Sequence, residues 1–167
     1  MNACAASEPL LLVERRAADP ALPALRLALT AHERTSLRGQ RRTQCGRRLL
    51  LQLPRGAALQ TGELLLGPAA SAAAVVRVEA APEPLLQVSS AEPLALLQAA
   101  YHLGNRHVAM ELHADRLLVL NDSVLAEMLR RRGLRVQQLE APFTPEAGAY
   151  EGHAHGPDHA HGLPHGH

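Results

Sequence analysis

Apolar positions along the chain fall into two regimes. Up to about residue 80 they come in short runs, at residues 10–13, 25–29, 49–53, 64–66 and 75–78, punctuated by Pro54-Arg55-Gly56 and Thr61-Gly62. Runs of this length bounded by turn residues predict strands. Leu49, Leu51 and Leu53 share one face of such a strand, and Arg48, Leu50 and Gln52 the other, so at least one side packs. A small sheet or barrel is expected. Small residues at 68–74 and Pro82-Glu83-Pro84 bracket the last run, and the pattern changes near Ala81.

Beyond Ala81 the spacing predicts a strand over 85–88, a helix over 93–103 carrying Leu94, Leu97 and Tyr101, and strands over 108–113 and 116–120. A second helix over 124–132 and a strand over 134–139 complete the series. The order is βαββαβ, a ferredoxin-like unit. Ser89 and Glu92 are placed to cap the first helix, with Pro93 at its start, and Asp122 the second. Gly133 is placed to stop the second helix, and Gly104-Asn105 to close the first through a left-handed backbone. His107 then stands just behind a rigid turn, a position that suits a ligand to metal or proton.

Residues 117–120 are apolar on both faces, whereas the helices of such a unit cover only one face of its sheet. The first domain or a partner subunit would cover the other. His107 shares the parity of Ala109, Glu111 and His113, opposite to Val108, Met110 and Leu112, which turns it toward that uncovered side. A two-fold dimer there would bring His107 against its copy and begin a metal site. The expected fold class is α+β: a small N-terminal β domain over 1–80, a ferredoxin-like βαββαβ domain over 81–147, and a disordered His-rich tail over 148–167.

Six of the ten histidines lie in that tail as three His-x-His pairs at a period of six: His153 and His155, His159 and His161, His165 and His167. Its Gly, Ala, Pro and His content cannot bury enough surface to order it. Imidazole-rich segments with almost no acid and no cysteine select Ni2+, Zn2+ and Cu2+ over Mg2+ or Ca2+. Some 20 disordered residues span about 25 Å root-mean-square, so the tail reaches a site at His107. A purification tag is the bland alternative, and the interrupted units running on from Tyr150 argue against it. Of the other histidines, His102 reads as favoured at a helix C-terminus, and His32 and His113 as ordinary surface residues.

Composition removes several function classes. All 17 basic residues are arginine, and the net charge of +1 favours no polyanionic partner overall. Arg34, Arg38, Arg41, Arg42, Arg47, Arg48 and Arg55 follow one another without an acid among them, as a solvated strand face or as a dock for an acidic surface. Stacking platforms for single-stranded nucleic acid use aromatics, and this half of the chain contains none. Cys4 and Cys45 lie far apart without a CxxC spacing, so neither a disulfide framework nor a thiolate metal site is expected. No apolar run reaches the roughly 18 residues of a membrane span, which with the cysteine usage points to the cytoplasm. The motifs of hydrolases, phosphate-binding loops, zinc peptidases and dinucleotide enzymes are missing, so a binding protein is expected rather than an enzyme.

Tyr101-His102-Leu103-Gly104-Asn105-Arg106-His107, then Val124-Leu125 with Met128-Leu129 and Gly133, then Ala141-Pro142-Phe143 with Pro145-Glu146 and Gly148-Ala149-Tyr150, and the His-rich end together resemble the UreE family of urease accessory nickel metallochaperones. The resemblance runs over most of the chain and is weakest in the first 30 residues. It implies an N-terminal β domain that contacts partners, a ferredoxin-like metal-binding domain, and a homodimer whose interfacial nickel is held by His107 of each subunit. Tail histidines would complete the coordination. It further implies delivery of nickel to apo-urease together with a GTPase accessory protein. Where some relatives carry further histidines before the second helix, this chain reads Asn121-Asp122-Ser123. A cytosolic nickel or zinc buffer acting through the tail is the competing reading.

Overall fold

The computed structural model describes residues 8–68 and 75–147. The tail histidines, Cys4 and most of the small-residue stretch before residue 75 lie outside the described residues. In order, the elements are β1 (Leu10–Leu12), β2 (Glu14–Arg16), β3 (Leu25–Leu29), α1 (Ala31–Arg34), β4 (Arg38–Arg42), β5 (Arg48–Gln52), β6 (Leu64–Leu66) and β7 (Val75–Ala80). They continue as β8 (Pro82–Ser89), α2 (Pro93–Gly104), β9 (Met110–Leu112), β10 (Arg116–Leu120), α3 (Ser123–Arg131) and β11 (Arg135–Pro142). The class is α+β, with strands predominating.

Two sheets form from the first half of the chain, in the orders β1-β5-β4 and β2-β6-β7-β3. Leu12, Leu27, Leu51, Leu65 and Val76 from both sheets belong to one buried cluster, which is why each apolar run is short and only one face of it needs to be apolar. Leu49, Leu51 and Leu53 are all buried, as their alternation predicts. Three elements are invisible to that pattern. β4 is Arg-Gly-Gln-Arg-Arg, with no large apolar residue, and it exists because its backbone pairs with β5 from Arg38↔Gln52 to Arg42↔Arg48. β2 is Glu-Arg-Arg, held on β6, where Arg15 is paired with Glu63 at 2.9 Å. The single turn α1 is made by a capping box in which Glu33 N–H donates to Thr30 Oγ1 and Thr30 N–H to the Glu33 carboxylate.

The second half forms a sheet in the order β11-β8-β10-β9, every neighbour antiparallel. Leu86, Val88 and Val119 from the strands pack with Leu96 and Leu103 of α2 and Leu129 of α3. The buried side of α2 is thus Leu96, Ala99 and Leu103, while Leu94, Leu97 and Tyr101 are about two-thirds exposed (65%, 68% and 67%). These three reveal the helical spacing but not the inward face, because α2 is apolar almost all round. Its N-cap is Glu92 without a side-chain bond, and Glu92 N–H instead donates to Ser90 Oγ, so the Ser89–Glu92 capping box does not form. Glu92 is itself the N-cap and Pro93 the first helical residue, where the missing N–H costs the helix no intrahelical bond, so the helix starts without such a box. Asp122 does cap α3, accepting from Leu125 N–H at 2.8 Å.

The face of this sheet away from α2 and α3 is covered from within the chain, without need of a second subunit. Phe143, fully buried, fills it with Leu85 and Leu118, and Ala31 of α1 packs alongside. After Phe143 the chain crosses from the β11 edge toward the β9 edge: Thr144 N–H donates to the Glu111 carboxylate, and Glu146 N–H to the Met110 carbonyl, each at 2.7 Å. Cys45 is disulfide-bonded, although the cysteine spacing predicts no disulfide framework. No helix among the described residues is long and apolar enough to cross a membrane.

Candidate functional site

His107 sits at the C-terminus of α2, and the way the helix closes decides its position. Val108 N–H donates to the Leu103 carbonyl at 3.1 Å, and His107 N–H to that of Gly104 at 2.9 Å. This is the hydrogen-bond pattern of a Schellman closure, whose left-handed residue is usually glycine. Here that residue is His107, with φ of 55°, the one non-glycine residue of positive φ among those described. Asn105 is right-handed, φ −62°, and Gly104 is still helical. The left-handed turn expected at Gly104-Asn105 therefore falls two residues later, on the histidine. Val108 dictates the shift, because it packs against the cluster that contains Leu103, and the helix can close only where the chain turns that side chain inward.

The end of α3 supplies an internal control. Leu134 N–H bonds the Leu129 carbonyl at 3.2 Å and Gly133 N–H that of Arg130 at 2.9 Å, the same pattern, with Gly133 at φ of 81°. One fold thus closes two helices identically, once on glycine and once on histidine. A left-handed conformation costs an L-residue roughly 1–2 kcal/mol that glycine does not incur.

His107 is exposed. β9 begins only at Met110, so strand parity does not extend back to His107, and its direction follows from the helix closure instead. Within β9 and just after it the alternation holds: Met110 packs toward the helices, whereas Glu111 and His113 lie on the other face, their side chains 3.0 Å apart. Around the turn, Arg106 Nη1 donates to the His102 carbonyl at 3.0 Å, and the Tyr101 and His102 rings meet edge-on with centroids 5.6 Å apart. His32 is exposed on α1, as expected of a surface residue; His113 is half-buried against Glu111. Among the described residues no three His, Cys, Asp or Glu side chains converge as a metal site. His153, His155, His159, His161, His165 and His167 lie outside the described residues.

Sequence reasoning missed Arg34. It stands in the arginine run read as a solvated face, yet it is buried, 4% exposed, and its Nη2 donates to the Phe143 carbonyl at 2.7 Å. Burial pushes its pKa below the ordinary value, with Glu83 and Glu111 opposing that shift. The available signal was Phe143 itself, a lone phenylalanine flanked by prolines, which needed something to pack beneath.

Residues 83–167 match the family described as UreE urease accessory protein, C-terminal domain. The urease accessory protein UreE of Parasynechococcus marenigrum is 55% identical over 147 residues, covering 88% of this chain and 97% of that protein. That of Synechococcus sp. strain WH7805 is 60% identical over 136 residues, 81% of this chain and 75% of that protein. That of Thermosynechococcus vestitus is 50% identical over 129 residues, 77% and 88% respectively. The protein is therefore of the accessory class and not an enzyme. It belongs to the UreE family.

Proposed function

We propose that the chain is a nickel metallochaperone that binds Ni2+ between two copies of itself and delivers it for assembly of the urease active site. The observation that carries this reading is His107 in the left-handed position where the equivalent turn of α3 uses Gly133. A residue held in a conformation costly for its type points to a role for its side chain. The closure also fixes the backbone, so the imidazole is presented on a rigid support, as a ligand needs.

One imidazole is one ligand. A two-fold axis beside His107 supplies a second from the partner chain, and the tail histidines His153, His155, His159, His161, His165 and His167 supply the rest. The exposed stripe of Leu94, Leu97 and Tyr101 on α2, the helix that ends at His107, supports a homodimer there. We assign residues 81–147 to a ferredoxin-like metal-binding domain, supported by the βαββαβ order and the strand order β11-β8-β10-β9. Residues 1–80 form the partner-contact domain, facing apo-urease and its accessory GTPase, and residues 148–167 the metal-capturing tail. Work in the cytoplasm fits this role; Zn2+ and Cu2+ compete for the same imidazoles.

Nickel titration calorimetry separates this reading from a buffer that stores metal on the tail. The full chain is compared with His107→Ala and with a chain whose six tail histidines are alanine. Loss of the tight site in His107→Ala, with weaker sites retained, is expected; loss of tight binding only with the tail histidines would favour the buffer.

A further inference from the structure

Residues 143–147 are a strap laid across the sheet, and both of its anchorages come from side chains or strands outside the turn that holds His107. On one side Arg34 Nη2 donates to the Phe143 carbonyl at 2.7 Å. On the other the Glu111 carboxylate accepts from Thr144 N–H at 2.7 Å, and Met110, three residues past His107, accepts from Glu146 N–H at 2.7 Å. The last described residue, Ala147, therefore leaves the fold from the β9 edge, on the strand that His107 leads into.

Arg34 is an expensive way to hold a carbonyl. Its guanidinium is buried, and its Nη1 makes no hydrogen bond among the described residues. A buried cation with an unmatched donor generally contributes less stability than an apolar side chain of similar volume. What Arg34 does supply is a fixed link from α1 to the strap, while Ala31 N–H on the same helical turn binds the Glu83 carboxylate at 2.7 Å.

We propose that Arg34 and Glu111 clamp the strap from its two sides and so fix the point from which the histidine-rich tail departs, next to the strand that follows His107. Arg34 is then a positioning residue for metal capture, an assignment that rests on the nickel reading given above. Tethered donors act through effective concentration, which depends on where the tether begins. A clamp that holds the origin beside β9 keeps the tail imidazoles concentrated around His107, and a loosened strap spreads them over a larger volume.

The test uses the full chain with Arg34→Met, Arg34→Lys and Glu111→Ala, followed by amide exchange and by nickel titration with and without the six tail histidines. In Arg34→Met the Thr144 and Glu146 amides should exchange at least about tenfold faster, with thermal stability unchanged or raised. The affinity gained from the tail histidines should fall by about twofold while the His107-dependent site persists. Arg34→Lys, which keeps a donor, should restore part of both, and Glu111→Ala should loosen Thr144 in the same way if Arg34→Met fails to fold. Unchanged exchange in the strap overturns the clamp, and so does faster exchange with an unaltered tail contribution. Absence of nickel binding by the unsubstituted chain would instead overturn the metal reading, and strap exchange alone would then decide the clamp.

Discussion

Urease assembled at limiting nickel in the presence of the His107→Ala chain is expected to gain no more activity than urease given the metal alone. Removing the proposed ligand should cost at least as much as the roughly 10–100-fold in metal affinity lost when the outer-shell partners of a ligand are removed. The variant should still fold, because His107 is exposed and alanine pays about the same left-handed penalty. His107→Gly sharpens the test. Glycine is the residue that the matching closure of α3 uses, so this variant should be as stable as the parent or more stable, by up to about 1–2 kcal/mol in urea denaturation, and equally unable to activate urease. Stability and function would then move in opposite directions at one position. Full activation by His107→Gly would mean that the imidazole is dispensable.

Phe143→Ala should be the most damaging single truncation outside the helical core. The ring is fully buried against Leu85 and Leu118, covers the face of the sheet that α2 and α3 leave open, and starts the strap across to β9. Large-to-small changes at such sites cost about 3–5 kcal/mol. For a chain of this size each kcal/mol shifts Tm by roughly 2–4 °C, so a fall of about 10 °C is expected by calorimetry. Collapse of the site would be opposed by Leu85, which lies on β8, a strand held on both sides, by β10 and β11. A shift of only a degree or two would show that the strap is held by its hydrogen bonds instead of its ring.

The comparison of the two helix ends also shows what the sequence exposes and what it hides. Gly133 announces the stop of α3 because residue type and packing agree there: the only glycine nearby is also where Leu134 must turn inward. At the end of α2 they disagree. Gly104 and Asn105 have the backbone freedom, but Val108 has the packing requirement, and the requirement wins, placing His107 in the strained position. The candidate ligand was legible from its junction and from the tail; its strain was not, because residue preference and tertiary packing pointed to different places. Periodicity found the strands that contribute to a core, such as β5 and β10, and missed β4, whose existence depends on pairing with β5 and not on its own side chains. Arg34 was hidden for a related reason. Nothing local distinguishes one arginine of a run, and the carbonyl that its buried guanidinium meets, that of Phe143, lies 109 residues away.

The central claim is that nickel sits between two chains on His107 from each. Native mass spectrometry at neutral pH tests it directly, using the full chain with His153, His155, His159, His161, His165 and His167 replaced by alanine so that the tail adds no metal of its own. A dimer that retains a single nickel ion is expected, and a dimer free of nickel when His107 is also alanine. Two nickel ions per dimer, nickel retained by isolated monomers, or a single ion that survives the loss of His107 would contradict it.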